Sequence, residues 1–475
     1  MSPRTEHVPD WLVAVLLVLP WVHPWAPGPQ SNTVPLLIGW GSLAVLLALT
    51  RLPSALELAR AWAWAALLSS AMGLVQYFGE AAHLGGWVHV PAWLGDAVGN
   101  LRQRNQLATL TSIGAVAVLW WQTQGLPRRH ALWMLLLLAF GNAATASRTG
   151  LLQWLLLPVL LWLWQVNARP RTTAWSWPVL GWGLGMYLIA SLLLPHALAL
   201  WQGTAIHSAM ARMGDVSGCG SRGVLWRNVL HLIGQRPWTG WGWEEVKYAH
   251  YITTYPGERF CDILGNAHNL PLHLALTLGI PAAVVLCLAL LALLWCARPW
   301  RLAHAEASLA WGVLAVIGLH SLLEYPLWYA PFQLALLWSV WLLLPSLGRS
   351  WTPHRRAVQA LAMGALGLIG LAAYDYQRMR QIYLPAAQRA AVWRDDPWSA
   401  ARRTRFFSQA VRFAEVTSTP VTPDNAQAIL DASLAVLHYS PEPRVIDKLV
   451  ESARLTGRDD LARWHLAHKQ AVYGP

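Results

Sequence analysis

Asn266-Ala267-His268-Asn269-Leu270 stands where a long polar segment gives way to a hydrophobic run. Asn is a strong helix N-cap, so His268 falls at the mouth of a helix whose free N–H groups and dipole favour an anion. Imidazole accepts a proton near neutral pH, and a base beside an anion-tolerant surface is the combination a group transfer needs. The competing reading is an interfacial histidine that caps its helix and does nothing more. His273 lies off that face and reads as packing.

His320 and Glu324 are four apart at the end of an apolar run that Tyr325-Pro326 terminates, so they share one helical face. An ionisable pair at membrane depth reads as function, as a self-satisfied pair closing a span end, or as a proton relay. Three arginine clusters accompany it: Leu101-Arg102-Gln103-Arg104-Asn105-Gln106, Ser147-Arg148-Thr149-Gly150 and Ser221-Arg222-Gly223-Val224-Leu225-Trp226-Arg227. Guanidinium grips a phosphate bidentately, which ammonium cannot; taken singly, each arginine also reads as a residue snorkelling to lipid headgroups. Arg236-Pro237-Trp238-Thr239-Gly240-Trp241-Gly242-Trp243 alternates glycine with aromatics. That pattern suits sugar stacking or, equally, a packed turn.

The elements that must position these residues are membrane helices. Hydrophobic runs fall at roughly 11–26, 34–50, 61–78, 107–121, 131–146, 151–166, 175–195, 270–296, 307–322, 327–346 and 357–375, lengths suited to about 30 Å of hydrocarbon. Pro20 interrupts the first, which lacks a small-residue cleavage site and reads as an uncleaved span. The fold expected is an all-α, polytopic transmembrane helical bundle of about 11 to 13 spans. With a cytoplasmic N-terminus, the inner segments carry Arg4, Arg51, Arg60, Arg128, Arg129, Arg169, Arg171, Arg298, Arg301, Arg349, Arg355 and Arg356. The short outer connections carry only Arg102, Arg104 and Arg148. The positive-inside rule sets that orientation and marks the three outer arginines as exceptions that need a reason.

At 475 residues, 55% apolar and 12% charged, the chain leaves little room for a large soluble domain. The net charge of +12 is nearly all arginine, since the lysines are Lys247, Lys448 and Lys469. No basic stripe with interleaved aromatics occupies a soluble region, so nucleic acid is not an expected partner. Tryptophans such as Trp120, Trp121, Trp162 and Trp164 read as interfacial belts. Two segments are too polar for the membrane. The first, 196–268, is an outer loop whose aromatics argue against disorder, and within it Cys219 and Cys261 form a disulfide candidate in an oxidising compartment. Cys287 and Cys296 read as reduced packing residues in one span. The second segment, 377–475, shows helical spacing at Ile446, Leu449, Val450 and Ala453, and less cleanly at Ile429, Ser433 and Val436. It resembles short tetratricopeptide-like helices without a regular period. The division expected is a transmembrane domain, 1–376, that includes the periplasmic loop, and a C-terminal helical periplasmic domain, 377–475.

Six motifs in order, Arg104 to Gln106, Ser147 to Gly150, Ser221 to Gly223, Arg236 to Trp243, Asn266 to His273 and His320 to Tyr329, resemble the bacterial O-oligosaccharyltransferases. These are the pilin and general protein O-glycosylation ligases of the O-antigen ligase and polymerase superfamily. Tyr439-Ser440-Pro441 resembles their C-terminal region, while Gly265 and Thr277 stand where the pattern often has acidic residues. The resemblance implies an inverting, metal-independent transfer of a preassembled glycan from undecaprenyl diphosphate to a Ser or Thr hydroxyl of pilin or another periplasmic protein, at the periplasmic face of the bacterial inner membrane. It implies no cofactor. His268 would take the acceptor proton, with Arg148 and Arg222 on the diphosphate. Arg102, Arg104, Gln106, Asn269, His320, Glu324, Tyr325, Trp241 and Trp243 would bind or support the substrate.

Two other readings stay open. One is an O-antigen ligase or polymerase acting on lipid A core or another glycan. The other is a proton-coupled transporter or flippase using His320 and Glu324. The fourth to eighth runs contain no Asp, Glu, Lys or Arg between their ends, which disfavours a proton path through them.

Overall fold

The computed structural model describes residues 8–49, 51–167, 175–202, 218–302, 304–347 and 354–474. Residues 203–217 of the long loop, with Arg212 and Asp215, lie outside these, as do Arg4, Arg169, Arg171 and Arg349. Regular structure among the described residues is helical throughout. In chain order the helices are α1 (Asp10–Val22), α2 (Thr33–Ala48), α3 (Ala55–Tyr77), α4 (Arg104–Thr123), α5 (Arg128–Ala144), α6 (Arg148–Val166), α7 (Trp177–Gln202), α8 (Arg222–Gln235), α9 (Val246–Ile252), α10 (Leu270–Leu278), α11 (Ile280–Ala297), α12 (Ala305–Ser321), α13 (Ala330–Leu343) and α14 (Arg355–Arg380). The tail adds α15 (Pro397–Arg402), α16 (Ser408–Ser418), α17 (Ala426–Tyr439), α18 (Pro443–Leu455) and α19 (Asp459–Tyr473).

Five of these, α3, α6, α7, α11 and α14, are long and apolar enough to cross a membrane, and α1, α2, α12 and α13 are shorter apolar helices. An apolar helix exposed nearly all round belongs in lipid, and α11, with Leu288, Leu293 and Trp295 outward, is such a helix. The expected run 270–296 is broken: Gly279, at φ +89°, separates α10 from α11. A Cβ there would meet the Trp238 carbonyl oxygen at 2.2 Å, so only glycine fits.

Packing divides the chain into two compact units, residues 1–214 with 292–370 and residues 215–291 with 371–475. The polarity-based division at residue 376 runs differently, because the long loop packs with the tail. In the first unit α4 is the central helix, buried on every side from Gln106 to Trp120. Its small residues permit this closeness; a Cβ on Gly114 would lie 2.4 Å from that of Ala66. At the end of α3, fully buried Gln76 accepts from the Val98 and Gly99 amides and donates to the His89 and Gly99 carbonyls, which fixes the loop leading into α4. Trp162 is exposed, as a belt residue would be, but Trp120 and Trp164 are buried. Their indole N–H groups donate to the carbonyls of Ala305 and Pro299. A satisfied indole packs in the core as readily as at an interface, which corrects the belt assignment for those two.

In the second unit, α8 and α10 share a core built from Leu225, Val229, Leu232, Phe260, Leu264 and Leu276. Cys219 and Cys261 are disulfide-bonded, with Cα atoms 5.2 Å apart. Cys287, half-buried, and Cys296, exposed, are free, and neither is buried in a packed core. Tail helices α16 to α19 pack in sequence around Leu430, Val436, Ile446 and Leu449, and Tyr251 of α9 joins that cluster. The loop is clasped by the tail at three further points. Lys247 Nζ donates to the Tyr439 carbonyl, Glu245 pairs with His438 at 2.6 Å, and the Tyr251 hydroxyl lies 2.9 Å from His465 Nδ1.

Two of the buried histidines in this unit, His250 and His465, make it sensitive to pH. His250 is pushed down to about 3 by burial and then by the Arg259 guanidinium, and its neutral ring is bonded on both sides, to the Tyr255 hydroxyl and the Phe260 carbonyl. Burial, with His468 adding to it, brings His465 to about 4. Both are neutral when folded and titrate near pH 6.5 when unfolded, so their contribution is complete above that pH and is lost as pH falls. Going from about pH 7.5 to pH 5 is expected to cost about 2 kcal/mol for each. Hydrogen exchange in α9 and α19 should accelerate correspondingly once corrected for intrinsic rates; protection unchanged over that range would show that the rings are not held neutral.

Candidate active site

The N-terminus of α4 carries Arg104, Asn105, Gln106 and, one turn on, Thr109. Gln103 caps it, its side-chain oxygen accepting from the Gln106 amide at 2.7 Å. Helix α6 begins beside it, with Ser147 as N-cap and Arg148 exposed at the first helical position. A Cβ on Gly150 would lie 2.4 Å from Asn142 Oδ1, so that glycine lets the start of α6 approach α5. The chain leaving α12 completes the group. The helix ends at Ser321, and Glu324 sits in the turn beyond it, its amide bonded to the His320 carbonyl at 2.8 Å. Glu324 is thus not on the helix with His320, because the chain has already turned towards Pro326.

Two rungs of hydrogen bonds join these elements. Asn105 Nδ2 donates to Glu324 Oε1 at 3.0 Å, and Ser147 Oγ donates to Asn105 Oδ1 at 2.7 Å. One turn deeper, Thr109 Oγ1 lies 2.8 Å from His320 Nδ1 and accepts from Gln153 Nε2 at 2.9 Å. The Thr109 hydroxyl also lies 2.8 Å from the Asn105 carbonyl oxygen. The Tyr325 and Tyr329 rings stack with their centres 6.0 Å apart. His320, Glu324, Gln106 and Gln153 are all buried. Charged and amide groups in such a place must be satisfied by their neighbours.

Arg104, Gln106, Arg148, His320, Glu324 and Tyr325 therefore gather in one region of the first unit. Arg104 Nη2 lies 3.3 Å from Asp96. Arg102 is directed elsewhere: its guanidinium donates to the carbonyls of Pro24 and Ala26, which ties the loop before α4 to the end of α1. Asn105, Ser147 and Tyr329 fall inside the sequence motifs without being singled out there as site residues, and Thr109 and Gln153 lie outside those motifs. The available signal is spacing, since Asn105 and Thr109 are four apart, as are His320 and Glu324, and so make two matched rungs.

In the second unit, His268 adopts φ +51° with its amide donating to Asn266 Oδ1 at 2.9 Å. Asn269 caps α10, accepting from the Leu272 amide at 3.0 Å, and places half-buried His268 at the helix mouth. Ser221 caps α8 and Arg222 is its first residue. One turn on, Trp226 Nε1 donates to the Ala267 carbonyl at 3.0 Å, which holds α8 against the His268 segment. The Gly-Trp stretch is a packed turn. Trp241 and Gly242 amides donate to the Leu276 and Thr277 carbonyls, and a Cβ on Gly240 would meet Thr277 at 2.4 Å. Trp241 is half-buried, bonded to the Leu232 carbonyl, and Arg236 lies over its ring at 4.2 Å. Trp243 is exposed beside the buried His273 ring, 5.5 Å away.

Fold and site together define a multi-pass helical membrane protein whose polar groups are concentrated at helix starts. Residues 131–287 match the family described as O-antigen ligase, residues 97–121 that described as protein glycosylation ligase, and residues 308–475 that described as virulence factor membrane-bound polymerase, C-terminal. A general O-oligosaccharyltransferase of Acinetobacter baylyi is 26% identical over 281 residues, 57% of this chain and 47% of that protein. The chain thus matches about half the length of this relative. In sequence it is similar to proteins of the O-antigen ligase superfamily and to an O-oligosaccharyltransferase.

Asn105 is the joint of the upper rung. Asn105→Ala withdraws a donor from the buried Glu324 carboxylate and an acceptor from Ser147, and is expected to cost about 1–3 kcal/mol. Asn105→Asp should cost more, because it sets a like charge beside Glu324. Thermal unfolding in one detergent compares the two, and equal melting temperatures for Asp and wild type would remove Asn105 from this role.

Proposed function

We propose that the chain transfers a preassembled oligosaccharide en bloc from undecaprenyl diphosphate to a Ser or Thr hydroxyl of pilin or another exported protein, at the outer face of the inner membrane. The carrying observation is His268 itself, fixed by an Asx turn and an N-cap at the start of α10, on a loop whose α8 begins with Arg222. His268 accepts the hydroxyl proton. The acceptor oxygen attacks the anomeric carbon from the face opposite the leaving group, the bond to the diphosphate breaks, and configuration inverts. Arg148 and Arg222, each first in a serine-capped helix, hold the departing diphosphate with guanidinium and helix N–H groups, an electrostatic task that often supplies the largest catalytic term. No metal is needed in this scheme. Arg104, Gln106, His320, Glu324 and Tyr325 support the donor side, and the arginine distribution along the chain supports the orientation.

A second reading has its own support, since residues 308–475 match a membrane-bound polymerase family. There the acceptor is another glycan or a lipid core. Co-expression with a lipid-linked glycan and a pilin, in a host lacking its own ligase, separates the two by intact mass of the pilin. Unmodified pilin together with lengthened lipid-linked glycan would replace the protein-acceptor reading.

His268→Ala is expected to lower transfer by about 10²- to 10⁴-fold, as loss of a general base typically does. Retention of more than roughly a tenth of the wild-type rate at matched thermal stability would exclude His268 as the base. Arg148→Lys and Arg222→Lys should harm transfer nearly as much as the alanine variants, because charge alone does not reproduce the bidentate fork. Full activity in a lysine variant would return that arginine to a lipid-anchoring role.

A further inference from the structure

Helix α14 has no charged residue between Arg356 and Asp375. At about 1.5 Å per residue this stretch measures about 28 Å, close to the roughly 30 Å of a hydrocarbon core. Asp375 therefore marks the boundary where the helix leaves the lipid tails, and the chain beyond it folds back onto that boundary. Buried Asp375 accepts from the backbone amides of Arg405 and Phe406 at 2.6 and 2.9 Å. Arg378 Nε donates to the Ala400 carbonyl at 3.1 Å. Phe407 packs on Tyr376 with ring centres 5.3 Å apart, and Trp393 on Tyr374 at 5.8 Å. Residues 392–407 thus form a collar around the last turns of a membrane helix.

The collar's outward side chains are of two kinds. Val392 and Phe406 are 78% and 51% exposed, more than a water-facing surface needs. Arg394, Arg403 and Arg405 are exposed as well, and among the described residues their guanidinium groups have no carboxylate partner. Other nearby charges are accounted for: Arg402 pairs with Glu415, Asp396 caps α15, and Asp395 is the acidic residue beside Arg394. Exposed arginines interleaved with aromatic and aliphatic side chains at a span end suit lipid headgroups and the first carbons of their tails. An acidic protein partner would match the arginines but not Val392 and Phe406 at that depth.

We propose that this collar is a binding surface for anionic phospholipid of the surrounding bilayer, with phosphates on Arg394, Arg403 and Arg405 and with Val392 and Phe406 set into the leaflet. It holds the base of the tail, and hence the loop that the tail clasps, at a constant height over the membrane. The surface is separate from the donor-binding residues, so its failure would leave the transferase reading standing.

The test uses the full chain, delipidated in neutral detergent and mixed with equal amounts of phosphatidylglycerol and phosphatidylcholine, with bound lipid counted by native mass spectrometry. Wild type is expected to retain phosphatidylglycerol preferentially. The variant Arg394→Gln/Arg403→Gln/Arg405→Gln should reduce that preference at least about tenfold, surface arginines acting severally on an anionic layer. Arg454→Gln/Arg463→Gln, also on the tail but outside the collar, should leave it unchanged. Should the triple variant misfold, Arg403→Gln alone is expected to lower the preference about fivefold. No preference in wild type, or equal loss in the tail control, would overturn the proposal. So would a parallel loss of undecaprenyl diphosphate binding, which would assign the arginines to the donor, or an acidic protein displacing the lipid.

Discussion

Inside an apolar bundle, water is not at hand to satisfy a polar group, so every such group must find its partner in the protein, and the amide of Asn105 does so at both ends. Its nitrogen serves Glu324 and its oxygen serves Ser147, so one side chain ties the start of α4, the start of α6 and the turn after α12. Any of these elements that slid by half a turn would strand a buried carboxylate or hydroxyl, a loss comparable to a sizeable part of a domain's net stability. Register among the three is therefore held by polar pairing, while closeness is provided by small residues such as Gly114 and Gly150. The second rung, Thr109 with His320 and Gln153, repeats the arrangement one turn deeper.

The second unit solves a different problem, that of holding a half-buried histidine still on a loop. A positive φ at His268 is accepted because Asn266 closes an Asx turn ahead of it and Asn269 opens a helix behind it. The helix is short because Gly279 ends it. Gly240 and Gly279 bring the Trp238–Gly242 turn and the end of α10 to backbone contact, so α10 is buttressed by main chain rather than by mobile side chains. Thr277 is buried at that contact, and its hydroxyl donates to the His273 carbonyl at 2.7 Å.

Long apolar runs were readable as helices because hydrophobic length is a one-dimensional signal, and Asn269, Ser147 and Ser221 as caps because capping is local. The break at Gly279 was not readable. Glycine in an apolar run is tolerated as often as it interrupts, and the partner that demands it here, Trp238, lies far back in the chain. Trp120 and Trp164 were misleading for a related reason, since a tryptophan's role depends on whether a carbonyl meets its indole, and Ala305 and Pro299 supply those from distant elements. Arg102 looked like its neighbour Arg104, yet two carbonyls at the end of α1 claim it. In the candidate site the ionisable residues stood out, whereas Thr109 and Gln153, which pair with His320 and with each other, were hidden among ordinary helix-packing residues.

The clasp between loop and tail also sets an order of events during synthesis. Tyr251 finds its partner His465 only 214 positions later in the chain, after α11 to α14 have been made. At roughly 5 to 20 residues per second, that interval is about 10 to 40 s. For that time α9 waits with an unpaired tyrosine and an uncovered apolar face, while the cystine between Cys219 and Cys261 can already close. The nascent protein therefore passes through a stage in which its histidine-bearing loop is cross-linked but unsupported. Premature association through that uncovered face has to be prevented until α19 arrives.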